Sequence, residues 1–157
     1  MQERQFKTAR GREEPCATQF SIFLANRVGQ LKDLMQIFPQ KDVDILGISI
    51  VDSSDWAVVR VIASDPDKAR DLLKSHSFPF TESTVLLVEI DDSAAIAGAC
   101  AALVEAELSV NFAYPLTIHS HENAVMAFHV DDHIIATQLL RSHGFTLLGD
   151  ADLADSE

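Results

Sequence analysis

Leu72-Leu73-Lys74-Ser75-His76-Ser77-Phe78 returns as Leu139-Leu140-Arg141-Ser142-His143-Gly144-Phe145, an offset of 67 residues. Self-similarity of this kind marks a duplicated structural unit. At the same offset Ala57-Val58-Val59 falls on Ala124-Val125-Met126, and Asp65 falls on Asp132. Further upstream a shift of 65 aligns Phe20-Ser21-Ile22-Phe23-Leu24 with Val85-Leu86-Leu87-Val88-Glu89, the change being accounted for by a two-residue difference in a hairpin turn.

Each repeat then predicts the same series of elements. A mostly apolar strand opens it, Gln19 to Ala25 in the first and Thr84 to Ile90 in the second. A helix follows, signalled in the first repeat by Asn26 as N-cap, by Val28, Leu31, Leu34, Met35 and Phe38 at three-to-four spacing, and by Pro39 as the stop. In the second repeat Asp92 or Ser93 is the cap, and Ile96, Ala99, Cys100 and Leu103 form the apolar stripe. A hairpin comes next, Val43 to Val51 turning at Ser53-Ser54-Asp55 into Trp56 to Ala63, matched by Val110 to His119 turning at His121-Glu122-Asn123 into Ala124 to Val130. Second helices start at Asp65-Pro66 and Asp131-Asp132, and short closing strands follow Phe78 and Phe145.

Strand, helix, hairpin, helix, strand buries both helices only when they share one face of a four-stranded sheet, because strand-helix-strand crossovers are right-handed. The expected fold is α+β, two ferredoxin-like βαββαβ repeats packed as an internal pseudo-dimer. The expected boundaries are a disordered leader at 1–16, repeats at 17–82 and 83–150, and an acidic tail at 151–157. The repeats meet around Thr81 to Ser83, too short a joint for an independent linker.

Composition narrows the function classes. A net charge of −12, from 24 acidic and 12 basic residues, repels phosphate backbones and anionic lipid, so nucleic acid is not an expected partner. No apolar run approaches the roughly 20 residues of a membrane span, and Met1 to Pro15 lacks the apolar centre of a secretory signal. Cys16 and Cys100 form neither a CxxC pair nor a disulfide framework, which favours a reducing, cytoplasmic compartment. Cys16 falls in the leader and Cys100 on the apolar helix stripe, so neither has the setting of a nucleophile. Asp91-Asp92 and Asp131-Asp132 suit helix starts better than acid-base chemistry, and no cofactor motif or catalytic constellation is visible. His119, His121, His129 and His133 gather around the second hairpin, either as solvated turn residues or as metal ligands, though no Cys joins them.

The turn Ala25-Asn26-Arg27-Val28-Gly29-Gln30-Leu31 is the most informative for binding. Glycine lets a ligand approach the backbone, and free amides at a helix start favour an anion such as a carboxylate. Asn26 can hold a ligand ammonium or amide, or can simply cap the helix, while Gly29 can serve helix-sheet contact alone. Strand, Asn-x-x-Gly-x-Leu, helix, then a hairpin beginning near Val43-Asp44-Ile45 resembles an ACT domain, and Gln19 to Leu148 resembles two of them in tandem. That resemblance implies a regulatory module that binds an amino acid at the seam between paired modules. Its ligand contacts would fall on Asn26, Arg27, Val28, Gly29, Gln30 and Leu31, with the edge-strand segment Asn111, Ala113 and Tyr114 completing the site. Asn111 and Tyr114 serve equally as a seam hydrogen bond and a packed ring. Family members often carry Pro where Val28 stands. The second repeat departs further, with Asp91-Asp92-Ser93-Ala94-Ala95-Ile96 in the matching stretch and Ala94 at the glycine place, so one good site is expected rather than two. The implied function is non-catalytic amino-acid binding that regulates a protein partner, with self-association of copies as a further possibility. The alternative is a ligand-free adaptor that associates through sheet edges.

Overall fold

The computed structural model describes residues 15–25, 28–52 and 55–154. The chain divides into two compact units, Thr18–Ser83, and Thr84 onward together with the segment ending at Ala17. In the first, β1 (Ala17–Ala25) leads to α1 (Gln30–Met35), a 3₁₀ turn (Phe38–Lys41), β2 (Ile45–Asp52), β3 (Trp56–Ala63), α2 (Pro66–Ser75) and the start of β4 (Phe80–Ile90). The second continues from β4 through α3 (Ser93–Val104), β5 (Val110–Ser120), β6 (Asn123–Val130), α4 (His133–Ser142), β7 (Leu147–Leu148) and α5 (Asp150–Leu153). The joint expected at Thr81 to Ser83 is continuous strand: β4 closes one unit and opens the next.

Within the first unit β3 lies antiparallel between β1 and β2, and β4 pairs with β1, where the Phe23 N–H donates to the Pro79 carbonyl at 2.9 Å. Within the second, β6 lies antiparallel between β4 and β5, β7 adds to β4, and the Glu89 N–H donates to the Thr146 carbonyl at 3.0 Å. Both are the ferredoxin-like strand order that the right-handed crossover demands. The register corrects the repeat alignment by one residue. Phe23 stands opposite Val58 as Glu89 stands opposite Val125, so the first strands correspond at an offset of 66 rather than 65. Because side chains alternate along a strand, that slip decides which face each residue takes.

Helix ends follow from local chemistry. Asp65 accepts the Lys68 N–H at 3.1 Å and Asp92 the Ala95 N–H at 2.9 Å, while Asp132 accepts from Ile134 and Ile135, both at 3.1 Å. Each cap satisfies amides that a helix start leaves without partners. The repeated heptapeptide is a helix exit. Phe78 N–H reaches the Leu73 carbonyl at 3.0 Å and Phe145 N–H the Leu140 carbonyl at 2.9 Å, across left-handed residues Ser77 (φ 60°) and Gly144 (φ 89°).

Two cores result, one per unit. Phe20, Ile22 and Leu24 of β1 pack with Leu34, Phe38, Val59, Val61, Leu72 and Leu73. Leu86, Val88 and Ile90 of β4 pack with Ala99, Leu103, Phe128, Val130 and Leu140. Three expectations change. Pro39 lies inside the 3₁₀ turn rather than after a long helix, because α1 ends at Met35. Cys100 is exposed rather than on the buried stripe of α3, which uses Ala99, Ala102 and Leu103. The Ala-rich helix is apolar all round, so periodicity alone does not pick its face. The stretch beginning at 151, read as tail, includes most of α5, where Leu153 is buried and the Gly149 N–H donates to Asp152 at 2.8 Å.

Candidate functional site

At the first-unit corner the structure begins α1 at Gln30, with Gly29 at the N-cap position and in the left-handed region, φ 91°. Asn26 and Arg27 lie outside the described residues, and a cap at Asn26 would belong to a helix starting three residues earlier. Nothing described comes within 4 Å of where a Gly29 Cβ would stand, so glycine is required here by backbone conformation, not by crowding. Gly29 has no side chain to cap α1, and the Gln30 Oε1 atom is buried with no hydrogen-bond partner among the described residues. Val28 is fully exposed and Leu31 partly so, which removes Val28 from the apolar stripe.

The candidates on β5 do not share a face. Asn111 and Ala113 are exposed, whereas Tyr114 is buried with its ring stacked near Phe112 at 6.3 Å. Asn111 Nδ2 donates to His129 Nδ1 at 2.9 Å, and the His129 ring stacks on Phe112 at 4.8 Å. Of the expected contacts, Val28, Gly29, Gln30 and Leu31 are adjacent in one corner, and Asn111 already holds a partner.

Sequence reasoning passed over a second corner, in the unit from Thr84. Here Glu89 is a buried carboxylate at the end of β4. Its Oε2 accepts from the Ser120 hydroxyl and from His121 Nδ1 at 2.7 Å, and its Oε1 from Asn123 Nδ2 at 3.3 Å. The tight turn between β5 and β6 places two residues at positive φ, His121 (52°) and Glu122 (68°), and Glu89 ties that turn to β4. A cavity of about 300 Å³ opens beside it, lined by Glu89, Asp91, Asn123, His143, Phe145 and Thr146. His143 Nδ1 donates to the Leu139 carbonyl and Nε2 to Glu105, both at 2.9 Å, and the carbonyl first, then the carboxylate, hold its pKa above the usual histidine value. A detectable signal was present: one acid inside the apolar run Val85–Ile90, where ionisable groups are rare unless paired.

The equivalent corner of the first unit is lined by Phe23, Trp56 and Pro79 around about 340 Å³. Phe23 corresponds to Glu89 by register, and Trp56 and Pro79 correspond to Asn123 and Thr146 at the offset of 67. One duplicated corner is apolar, the other polar. The hairpin histidines go separate ways, His121 to Glu89 and His129 to Asn111, and no group of three metal-ligating side chains forms among the described residues.

A family model for the ACT domain pair matches residues 16–156. The chain belongs to the ACT domain pair family. ACT domain pairs are typically small-molecule-binding regulatory modules, and the duplicated βαββαβ units are the two domains. Among solved structures, this ACT pair is similar to protein BT0572 from Bacteroides thetaiotaomicron, with 23% identity, a TM-score of 0.80, and coverage of 89% of this chain and 96% of that one. It is also similar to the regulatory subunit of aspartate kinase from Thermus thermophilus, with 10% identity, a TM-score of 0.53, and coverage of 83% and 93%. The same subunit from Thermus flavus gives 11% identity and a TM-score of 0.53, again covering 83% and 93%. At these identities the likeness is one of fold. No curated protein matches the sequence. No helix among the described residues is long and apolar enough to cross a membrane.

Proposed function

We propose that this ACT pair is a non-catalytic regulatory protein of the cytoplasm that binds an amino acid at the glycine-relieved start of α1 and passes that state to a protein partner. The observation that carries this reading is the family match across almost the whole chain, residues 16–156. The first-unit corner supports it: Gly29 lies in the left-handed region with nothing described within 4 Å of where its Cβ would stand, which leaves the backbone open to a ligand carboxylate. With only six residues, α1 contributes a small end charge, so hydrogen-bonding geometry outweighs dipole.

A thermal-shift screen of the full chain against the twenty amino acids tests the proposal, with selective stabilisation by one or a few as the expected result. Calorimetry should then show weaker binding of the hit in Gly29→Val, which forces a β-branched residue into φ 91°, and in Asn111→Ala. A hit whose affinity is unchanged in both variants would move the ligand elsewhere. A flat screen favours the ligand-free adaptor instead, a role supported by Ile50, Val51 and Trp56, which are about half exposed on the hairpin of β2 and β3.

A further inference from the structure

The two corners derive from one duplicated unit, so each serves as the control for the other. At the place of Phe23 the second unit carries Glu89, and at the places of Trp56 and Pro79 it carries Asn123 and Thr146. The fold is satisfied by the apolar set, as the first unit shows. A carboxylate that is 9% exposed costs desolvation energy that the fold does not require.

The charges around it are unbalanced. No lysine or arginine lines the cavity, and Asp91 adds a second acid at its rim. His143, which also lines the cavity, is already engaged by Glu105 and the Leu139 carbonyl. His121 donates to Glu89 from an exposed position on the turn, with its side chain 77% accessible. A carboxylate offers about four lone-pair directions. Ser120 and His121 use those of Oε2, and Asn123 makes one long bond to Oε1, so acceptor capacity remains on Oε1 of a residue that lines the cavity.

We propose that this cavity, enclosed by the end of β4, the turn between β5 and β6 and the segment after α4, is a second binding site that takes the ammonium group of a small organic amine, with Glu89 as its counter-ion. The volume of about 300 Å³ accommodates a molecule of a few carbon atoms, and the Phe145 ring supplies an apolar wall for the chain that carries the ammonium. A bare metal ion fits less well, since no group of three metal-ligating side chains forms among the described residues. The site is lined by residues of the second unit and uses none of the groups of the first-unit corner.

The test is a titration of the isotope-labelled full chain, followed by amide resonances, with butylammonium chloride, sodium butyrate, butanol and calcium chloride in parallel. Saturable shifts at Glu89, Asn123, Gly144 and Thr146 are expected with butylammonium alone. Glu89→Gln, which keeps shape and removes charge, should weaken that binding about tenfold or more. If this variant fails to fold, Asp91→Asn on the exposed rim remains informative and should weaken it about two- to threefold. Saturable shifts with butyrate, butanol or calcium in place of butylammonium, a butylammonium response untouched by either substitution, or no saturable response to any probe overturns the proposal. An amino acid whose affinity falls in Gly29→Val but not in Glu89→Gln belongs to the first corner, so the two sites fail independently.

Discussion

Phe23 and Glu89 occupy the same place in the two units, and the contrast shows how one side chain sets the chemistry of a corner that the backbone repeats. His143 offers a residue-scale test of the same corner. Its pKa is raised, first by the Leu139 carbonyl and then by Glu105. A raised folded-state pKa means that the charged form is favoured by folding, so the contribution is fully present below the unfolded value of about 6.5 and is lost as pH rises through the folded value. His143→Gln should therefore be less stable than the parent near about pH 5.5, with the gap closing toward about pH 9. Denaturant titrations at the two pH values check this, and a gap that is constant or widens with pH would show that the imidazolium is not the source.

The clearest element-scale contrast lies where α2 and α4 end. Both exits place the residue after the C-cap in the left-handed region, Ser77 at φ 60° and Gly144 at φ 89°. Only glycine adopts that conformation without steric cost. Ser77→Gly should stabilise the protein by about 0.5–1 kcal/mol, and Gly144→Ser should destabilise it by a similar amount, as measured by the shift in denaturant midpoint. Nothing described lies within 4 Å of a Cβ at Gly144, so crowding does not blur the comparison. A destabilised Ser77→Gly would mean that the serine side chain, rather than the backbone, determines this exit.

For the whole molecule, each unit carries its own core, with Leu73 and Leu140 fully buried at equivalent places. Leu73→Ala and Leu140→Ala should each cost about 2–5 kcal/mol. Native-state hydrogen exchange should rise most at Val59 and Val61 in the first variant and at Phe128 and Val130 in the second; identical exchange maps would show that the two cores open as one. What could be read from the residues alone was local: the order of elements within each repeat and the aspartates at the helix starts. These depend on residues within a turn or two of each other. The tertiary structure alone decided which residues share a corner. Glu89 meets Ser120, His121 and Asn123 only through strand register, and a slip of one residue in aligning the repeats was enough to hide its match with Phe23. The face of Ala-rich α3 was likewise undetermined, because apolar spacing names a stripe only when the opposite face is polar, while Val28 is exposed because it precedes the start of α1 at Gln30.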